Sequence, residues 1–121
     1  MPADVDQYDA RPDEWLAARC REAADEGAFA ELVRRFQGPV FRLAVSILGR
    51  GFEPEAEDVT QDVMLRVYRA LPTFRGESRF GTWVYRIAFN QALNTKARVR
   101  FRAPHVGDEV LASAPSPDRG P

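Results

Sequence analysis

One cysteine and one histidine are all that 121 residues contain, and these two scarcities remove most catalytic chemistry at the outset. A lone Cys20 cannot close a disulfide within the chain or build a thiolate metal site. At helical spacing from Leu16 and from Ala23 or Ala24, it reads as a small apolar residue, buried or half-buried. His105 lies in a proline-rich stretch near the C-terminus, so a helical domain built from the rest has neither an imidazole base nor a histidine-bound zinc. No apolar run approaches the ~20 residues that a membrane span needs. Met1 to Pro12 is acidic, lacks an apolar stretch and does not resemble a signal peptide; the expected location is the cytoplasm. Repeats and strand-like alternation are also missing. The expectation is an all-α protein, a small orthogonal bundle of three to four helices, with no enzymatic activity, no metal and no cofactor.

Charge is present in quantity but is unevenly placed. The formal net charge of −1 hides a polarised chain. Residues 1–30 hold eight acids and three arginines, net −5. From Arg75 to Arg102 seven basic residues (Arg75, Arg79, Arg86, Lys96, Arg98, Arg100, Arg102) face a single acid, Glu77, net +6.

Residues 1–12 read as a flexible acidic tail, residues 13–102 as one helical domain, and residues 103–121, with Pro104, Pro115, Pro117 and Pro121, as a linker. Asp13 can cap a short accessory helix carrying Trp15, Leu16, Arg19, Cys20 and Ala23 and ending near Gly27. A second helix from about Ala28 keeps Phe29, Leu32, Val33, Phe36, Val40, Leu43, Ala44 and Ile47 on one face. Pro39 predicts a kink within it or two abutting segments, and Gly49-Arg50-Gly51 ends it. Pro54 opens a third helix that runs to about Leu71, with Val59, Val63, Val67 and Leu71 inward and Pro72 as its stop. Asp58, Gln61, Asp62 and Arg66 form a polar strip on its outer face. After a loop from Thr73 to Gly81, a fourth helix extends to roughly Arg102, with Phe80, Val84, Ile87, Ala88 and Gln91 as its core stripe.

That last segment carries more rings than a core stripe can use. Phe80, Trp83, Tyr85 and Phe89 fall within ten positions, whereas a buried stripe spans only a little over 100° of a helix. Trp83, Arg86, Asn90 and part of Tyr85 are left at or beyond its edge. Arginines among flat rings suit single-stranded nucleic acid, where cations track phosphates and each base stacked on a ring is worth roughly 1–3 kcal/mol. The alternative is a solvated basic helix whose rings all belong to the core. The nearest enzymatic reading is a magnesium shared by Asp58 and Asp62 one turn apart; it lacks further carboxylates from a second element, and the fourth helix supplies none.

The run from Ala56 to Asn90, opening Ala-Glu-Asp-Val-Thr-Gln-Asp-Val and closing Phe-Gly-Thr-Trp-Val-Tyr-Arg-Ile-Ala-Phe-Asn, closely resembles region 2 of bacterial sigma factors of the extracytoplasmic-function group, in the sigma-70 family. Upstream, Ala28-Phe-Ala-Glu-Leu-Val-Arg-Arg-Phe-Gln fits as well, so the likeness covers about Asp13 to Arg102. It implies a subunit that joins core RNA polymerase and opens the minus-ten element of promoters. On that likeness Asp58, Gln61, Asp62 and Arg66 dock on the clamp helices of the polymerase β′ subunit, with Asp62 standing where many relatives have Glu. Arg75, Gly76, Glu77, Ser78, Arg79, Phe80 and Thr82 belong to a loop that captures a base flipped out of the non-template strand. Ala70, Phe74, Ile87 and Asn90 would form its pocket, Trp83 and Tyr85 would lie near the upstream fork, and Arg86, Arg98 and Arg100 along phosphates. The resemblance further implies a monomer, an anti-sigma factor as regulator, and a second domain reading the minus-thirty-five element beyond the linker, inside which this sequence stops. Alone it is expected to be an incomplete initiation factor. The competing reading is a helical adaptor that binds polymerase or a regulator through the third helix without reading DNA.

Overall fold

The computed structural model describes residues 8–100. The expectations for residues 1–7, for Arg102 and for the linker with His105 lie outside the described residues. The chain forms α1 (Asp13–Ala23), α2 (Glu26–Leu48), α3 (Glu53–Ala70), a 3-10 turn (Leu71–Thr73) and α4 (Phe80–Val99). No strand occurs among the described residues, as the sequence pattern predicts.

Spacing by fours explains the bundle. Along α2 the buried positions Ala28, Leu32, Phe36, Val40, Ala44 and Leu48 repeat every four residues. Ala56, Val59, Val63 and Val67 do the same work on α3, and Phe80, Val84, Ala88, Ala92, Thr95 and Val99 on α4. Helices α2, α3 and α4 pack pairwise on these stripes, and α1 lies across α2 and the 3-10 turn. The α4 stripe differs from the expected one: Ile87 and Gln91 are only half-buried, and Ala92 and Thr95 continue the core in their place. Pro39 does not divide α2, which is one helix from Glu26 to Leu48. Buried Phe36 and Val40 hold the helix on either side of the proline, so the loss of one backbone donor is absorbed by packing.

The junction of α1 and α2 also departs from the sequence reading. Helix α1 stops at Ala23 because Ala24 turns left-handed, at φ 50°, with its N–H donating to the Cys20 carbonyl. Asp25 then caps α2, accepting from the Ala28 amide at 3.2 Å. The same carboxylate accepts from the Tyr8 hydroxyl at 2.7 and 2.9 Å and pairs with Arg19 at 3.0 Å. Gly27 faces the Tyr8 ring with no room for a Cβ. The described packing therefore begins at Tyr8, within the stretch read as tail. Cys20 is half-buried beside this junction, and burial, then the Asp25 charge, pushes its thiol up to about 11.

Asp13 does not cap α1; Pro12 holds that position without a side-chain bond. The Asp13 carboxylate instead accepts from Arg35 at 2.8 Å. Arg35 is the hub of a network, donating also to the carbonyls of Tyr8, Asp9 and Arg11 (3.1, 3.1 and 2.6 Å) and to Glu31 at 2.8 Å. Glu31 is a charged side chain at 6% exposure, and it takes two further bonds from Arg34, at 2.9 and 2.6 Å. Those Arg34 bonds, joined by Arg35 and opposed by burial, hold the Glu31 carboxyl below its ordinary range.

Because the folded state holds this proton less tightly than the unfolded chain, the contribution of Glu31 is complete above the unfolded carboxylate range and is lost as pH falls through the depressed value. Thermal unfolding between pH 7 and pH 2 should show that loss, and Glu31→Gln should flatten it. Arg35→Ala removes one of the two partners of Glu31 and the bond to Asp13, and denaturant unfolding should register a cost of about 1.5–3 kcal/mol.

Candidate nucleic-acid interface

Helices α3 and α4 run antiparallel along one seam. At one end Phe74 meets Trp83, ring centroids 4.8 Å apart. At the other, Asp58, Asp62 and Arg66 of α3 line a groove of about 340 Å³ with Gln91, Thr95 and Arg98 of α4. Half-buried Ala70 and Ile87 lie between these ends in sequence order. Six residues, Phe74 to Arg79, join the two helices beyond the 3-10 turn, and Arg75–Arg79 form the loop past buried Phe74. The loop turns at Gly76, whose φ of +80° is a conformation that an L side chain resists. Arg75, Gly76, Glu77 and Arg79 are exposed, and the Ser78 hydroxyl donates to the Arg79 carbonyl at 3.2 Å.

The rings divide between core and surface. Phe80 has no exposed area and sits edge-on to Phe36 and Phe74, at 5.5 and 5.6 Å. It therefore offers no face to a base, which corrects its expected place among the contacts. Phe74 is 5% exposed, covered by Phe80 and Trp83. Asn90 is exposed seven residues beyond Trp83, about 10 Å along the axis at 1.5 Å per residue. Phe74 thus lies beneath Trp83, while Asn90 is presented at the surface two turns further along α4. Tyr85 and Phe89, by contrast, are 38% and 48% exposed, followed one turn on by Leu93 at 43%. These are the surplus rings that the sequence led us to expect, although Phe89 and Leu93 were not among the site residues it singled out. At about 100° per residue, Arg86 falls between Phe89 and Asn90 on the face opposite the core stripe.

Electrostatics separates the two halves of the molecule. Arg19, Arg21, Arg34 and Arg35 are all ion-paired. Among the described residues Arg75, Arg79, Arg86 and Arg100 are exposed and make no ion pair, so their charge is available to a ligand. Arg98 is different: it bonds Thr95 at 3.4 Å and shares its groove with Asp58 and Asp62. On α3, Asp58 and Gln61 are exposed, while Asp62 is half-buried and accepts from Arg66 at 2.8 Å. Thr82 is exposed beside a second groove, of about 640 Å³, that it lines with Asp13, Glu14, Phe36, Arg79 and Tyr85. No group of three or more metal-ligating side chains occurs among the described residues, and none of their helices is long and apolar enough to cross a membrane.

Sequence reasoning missed α1 as part of this region. Arg21 donates to the carbonyl of Phe74 at 3.1 Å, and Glu14 accepts from the amide of Phe80 at 3.1 Å. These partners are 53 and 66 residues apart; no local pattern in the sequence signals them.

The family model described as sigma-70 region 2 matches residues 32–102. The chain belongs to that family. Its curated relatives include RNA polymerase sigma-H factor of Pseudomonas aeruginosa, 36% identical over 88% of this chain and 60% of the relative. The ECF RNA polymerase sigma-E factor of Haemophilus influenzae is 38% identical over 83% of this chain and 50% of its own length. The Escherichia coli K12 factor of the same name is 43% identical over 68% and 41%. This region 2 chain thus spans between two fifths and three fifths of those relatives. Among solved structures, an engineered region 2 of sigmaE in complex with GTAAAA matches with a TM-score of 0.65 and 35% identity, covering 76% of this chain and 93% of that one.

The burial pattern separates supporting residues from contact residues. Phe74→Ala empties a packed site and should lower stability by roughly 3–5 kcal/mol, whereas Asn90→Ala, on the surface, should stay within about 0.5 kcal/mol. Urea unfolding of both variants measures the contrast.

Proposed function

We propose that this domain recognises and opens the minus-ten element of promoters as part of a polymerase holoenzyme, holding a flipped non-template base at the loop Arg75–Arg79. The observation that carries the reading is the exposed face of α4 beside that loop. Unpaired Arg79 shares a groove with exposed Tyr85, and unpaired Arg86 is exposed on the outer face of α4 between Phe89 and Asn90. Flipping a base costs a few kcal/mol of stacking, which ring contacts and edge hydrogen bonds recover. Asn90, exposed and carrying both donor and acceptor, is the group that reads the base edge; Ala70 and Ile87 give the apolar flank. Phe74 and Phe80 act from beneath, supporting Trp83 and the loop. Arg86 and Arg100 follow phosphates. The strand bound by the engineered sigmaE region 2 supports this class of ligand.

The exposed strip Asp58, Gln61 and Arg66, with Asp62, is assigned to the β′ clamp helices, and Arg98, which shares that groove, follows phosphates at its edge. In this reading the domain acts in the cytoplasm as a monomer, an anti-sigma factor is its regulator, and neither catalysis nor a cofactor is involved.

The test is binding of the single strand GTAAAA, each position varied in turn, to the whole chain. Affinity should depend on base identity at specific positions, with log K falling by roughly 0.7 per neutralised phosphate per tenfold increase in salt. Asn90→Ala should relax preference at one position by about 1–3 kcal/mol and leave the others unchanged. An Asn90→Ala variant with the parent's preference at every position would remove the assignment. Asp58→Ala with Gln61→Ala should weaken binding to core polymerase at unchanged helical content. Polymerase binding with no base preference at any position would instead favour the adaptor.

A further inference from the structure

Helix α1 holds both ends of the loop. The Phe74 carbonyl, on the entering side, accepts from Arg21 Nη1, and the Phe80 amide, on the leaving side, donates to Glu14 Oε2. Arg21 and Glu14 are seven residues apart on one helix, two turns on the same face, so their separation is set by the helix at about 10 Å. The helix is itself immobilised: Leu16 and Ala17 are buried at 0% and 1% exposure, and Asp13 is bonded to the Arg35 hub.

The need for this contact is visible at α4. Arg79 occupies its cap position with extended backbone and no side-chain bond, and the first turn contains no acid. A helix start left this way has uncompensated amides and a partial positive charge. Glu14 supplies both an acceptor and the opposite sign. Between the two anchors the loop does little to hold itself: among the described residues its only side-chain hydrogen bond is that of Ser78 to the Arg79 carbonyl, and Gly76 relaxes the backbone at its turn.

We propose that Arg21 and Glu14 are positioning residues that fix the ends of the Arg75–Arg79 loop, so that its base-reading shape exists before the strand arrives. The selectivity part of this proposal rests on the proposed function of the loop; the positioning part does not. A loop already ordered loses less entropy on binding, and the saving is greatest for the one base that fits its shape. Arg21 and Glu14 therefore govern discrimination between bases more than attraction to phosphates, which exposed arginines supply.

The experiment compares the whole parent chain with Glu14→Ala, Arg21→Ala and Glu14→Gln, the last retaining a carbonyl oxygen that can accept from the Phe80 amide. Two readouts are taken: amide hydrogen exchange at Phe74 and Phe80, the two loop-end amides that donate hydrogen bonds in the structure, and affinity for GTAAAA with each position varied. In the alanine variants exchange at these amides should rise by about tenfold, discrimination should fall at the position read by the loop, and the salt slope should match the parent's. Glu14→Gln should remain close to the parent in both readouts. Unchanged exchange in both alanine variants would overturn the proposal, as would faster exchange with intact discrimination. If Glu14→Gln behaved like Glu14→Ala, the hydrogen bond would not be the device, and the Glu14 half would fall. If the parent showed no base preference at all, the proposed function would fail instead, and the exchange comparison alone would decide whether α1 holds the loop. Arg21→Lys, keeping charge and one donor, guards against a folding defect: exchange closer to the parent than in Arg21→Ala supports the contact, and exchange equal to Arg21→Ala counts against it.

Discussion

A buried carboxylate between two guanidinium groups is the constraint on which the rest of this domain depends. Glu31 is 6% exposed and bonded by Arg34 and Arg35, and these two partners compensate the loss of water around its charge. Arg35 passes that constraint outward, through Asp13 and three backbone carbonyls, to the start of α1. Helix α1 passes it on to Phe74 and Phe80. A charge cluster on α2 is thus connected, through one short helix, to both ends of the loop.

The same arginine chemistry has two uses, divided along the chain. In α1 and α2 the guanidinium groups of Arg19, Arg21, Arg34 and Arg35 are taken up by carboxylates and carbonyls of the protein itself, where their forked donors match planar acceptors. In the loop and α4, Arg75, Arg79, Arg86 and Arg100 are exposed and without ion pairs among the described residues. The net charge of −1 is therefore a poor guide to the field that a strand would meet, because most of the negative charge lies elsewhere or is already paired. Arg98, beside Asp58 and Asp62, stands at the border between the two regimes.

Aromatic residues show a similar division over a shorter distance. Phe36, Phe74 and Phe80 interlock edge-on in the core, Trp83 covers Phe74 and Phe80, and Tyr85 and Phe89 reach the surface. Rings at 74 and 80 that are buried at both ends of an exposed loop make its anchors rigid and its middle accessible. An interface that must bind a base in a defined orientation benefits from that combination, since ordering cost is incurred before binding.

Periodicity determined the helices, because apolar residues at intervals of three and four can bury one face only as a helix, and it located α2, α3 and α4 and the excess of rings on α4. Composition determined the polarity of the chain, and the motif from Ala56 to Asn90 its family. Positions within a few residues of an end were less legible: Ala24 adopts a left-handed turn and Asp25 caps α2, events that depend on Tyr8 and Arg19 as much as on local pattern. Only the tertiary structure decided which ring is support and which is surface. Phe74, Phe80 and Phe89 are the same residue type within sixteen positions, and burial alone tells them apart. It also decided that α1 belongs to the loop. Hydrogen bonds spanning 53 and 66 residues have no period and no spacing rule; they exist because packing on α2 brings Arg21 and Glu14 to the two ends of a loop that is distant in the chain.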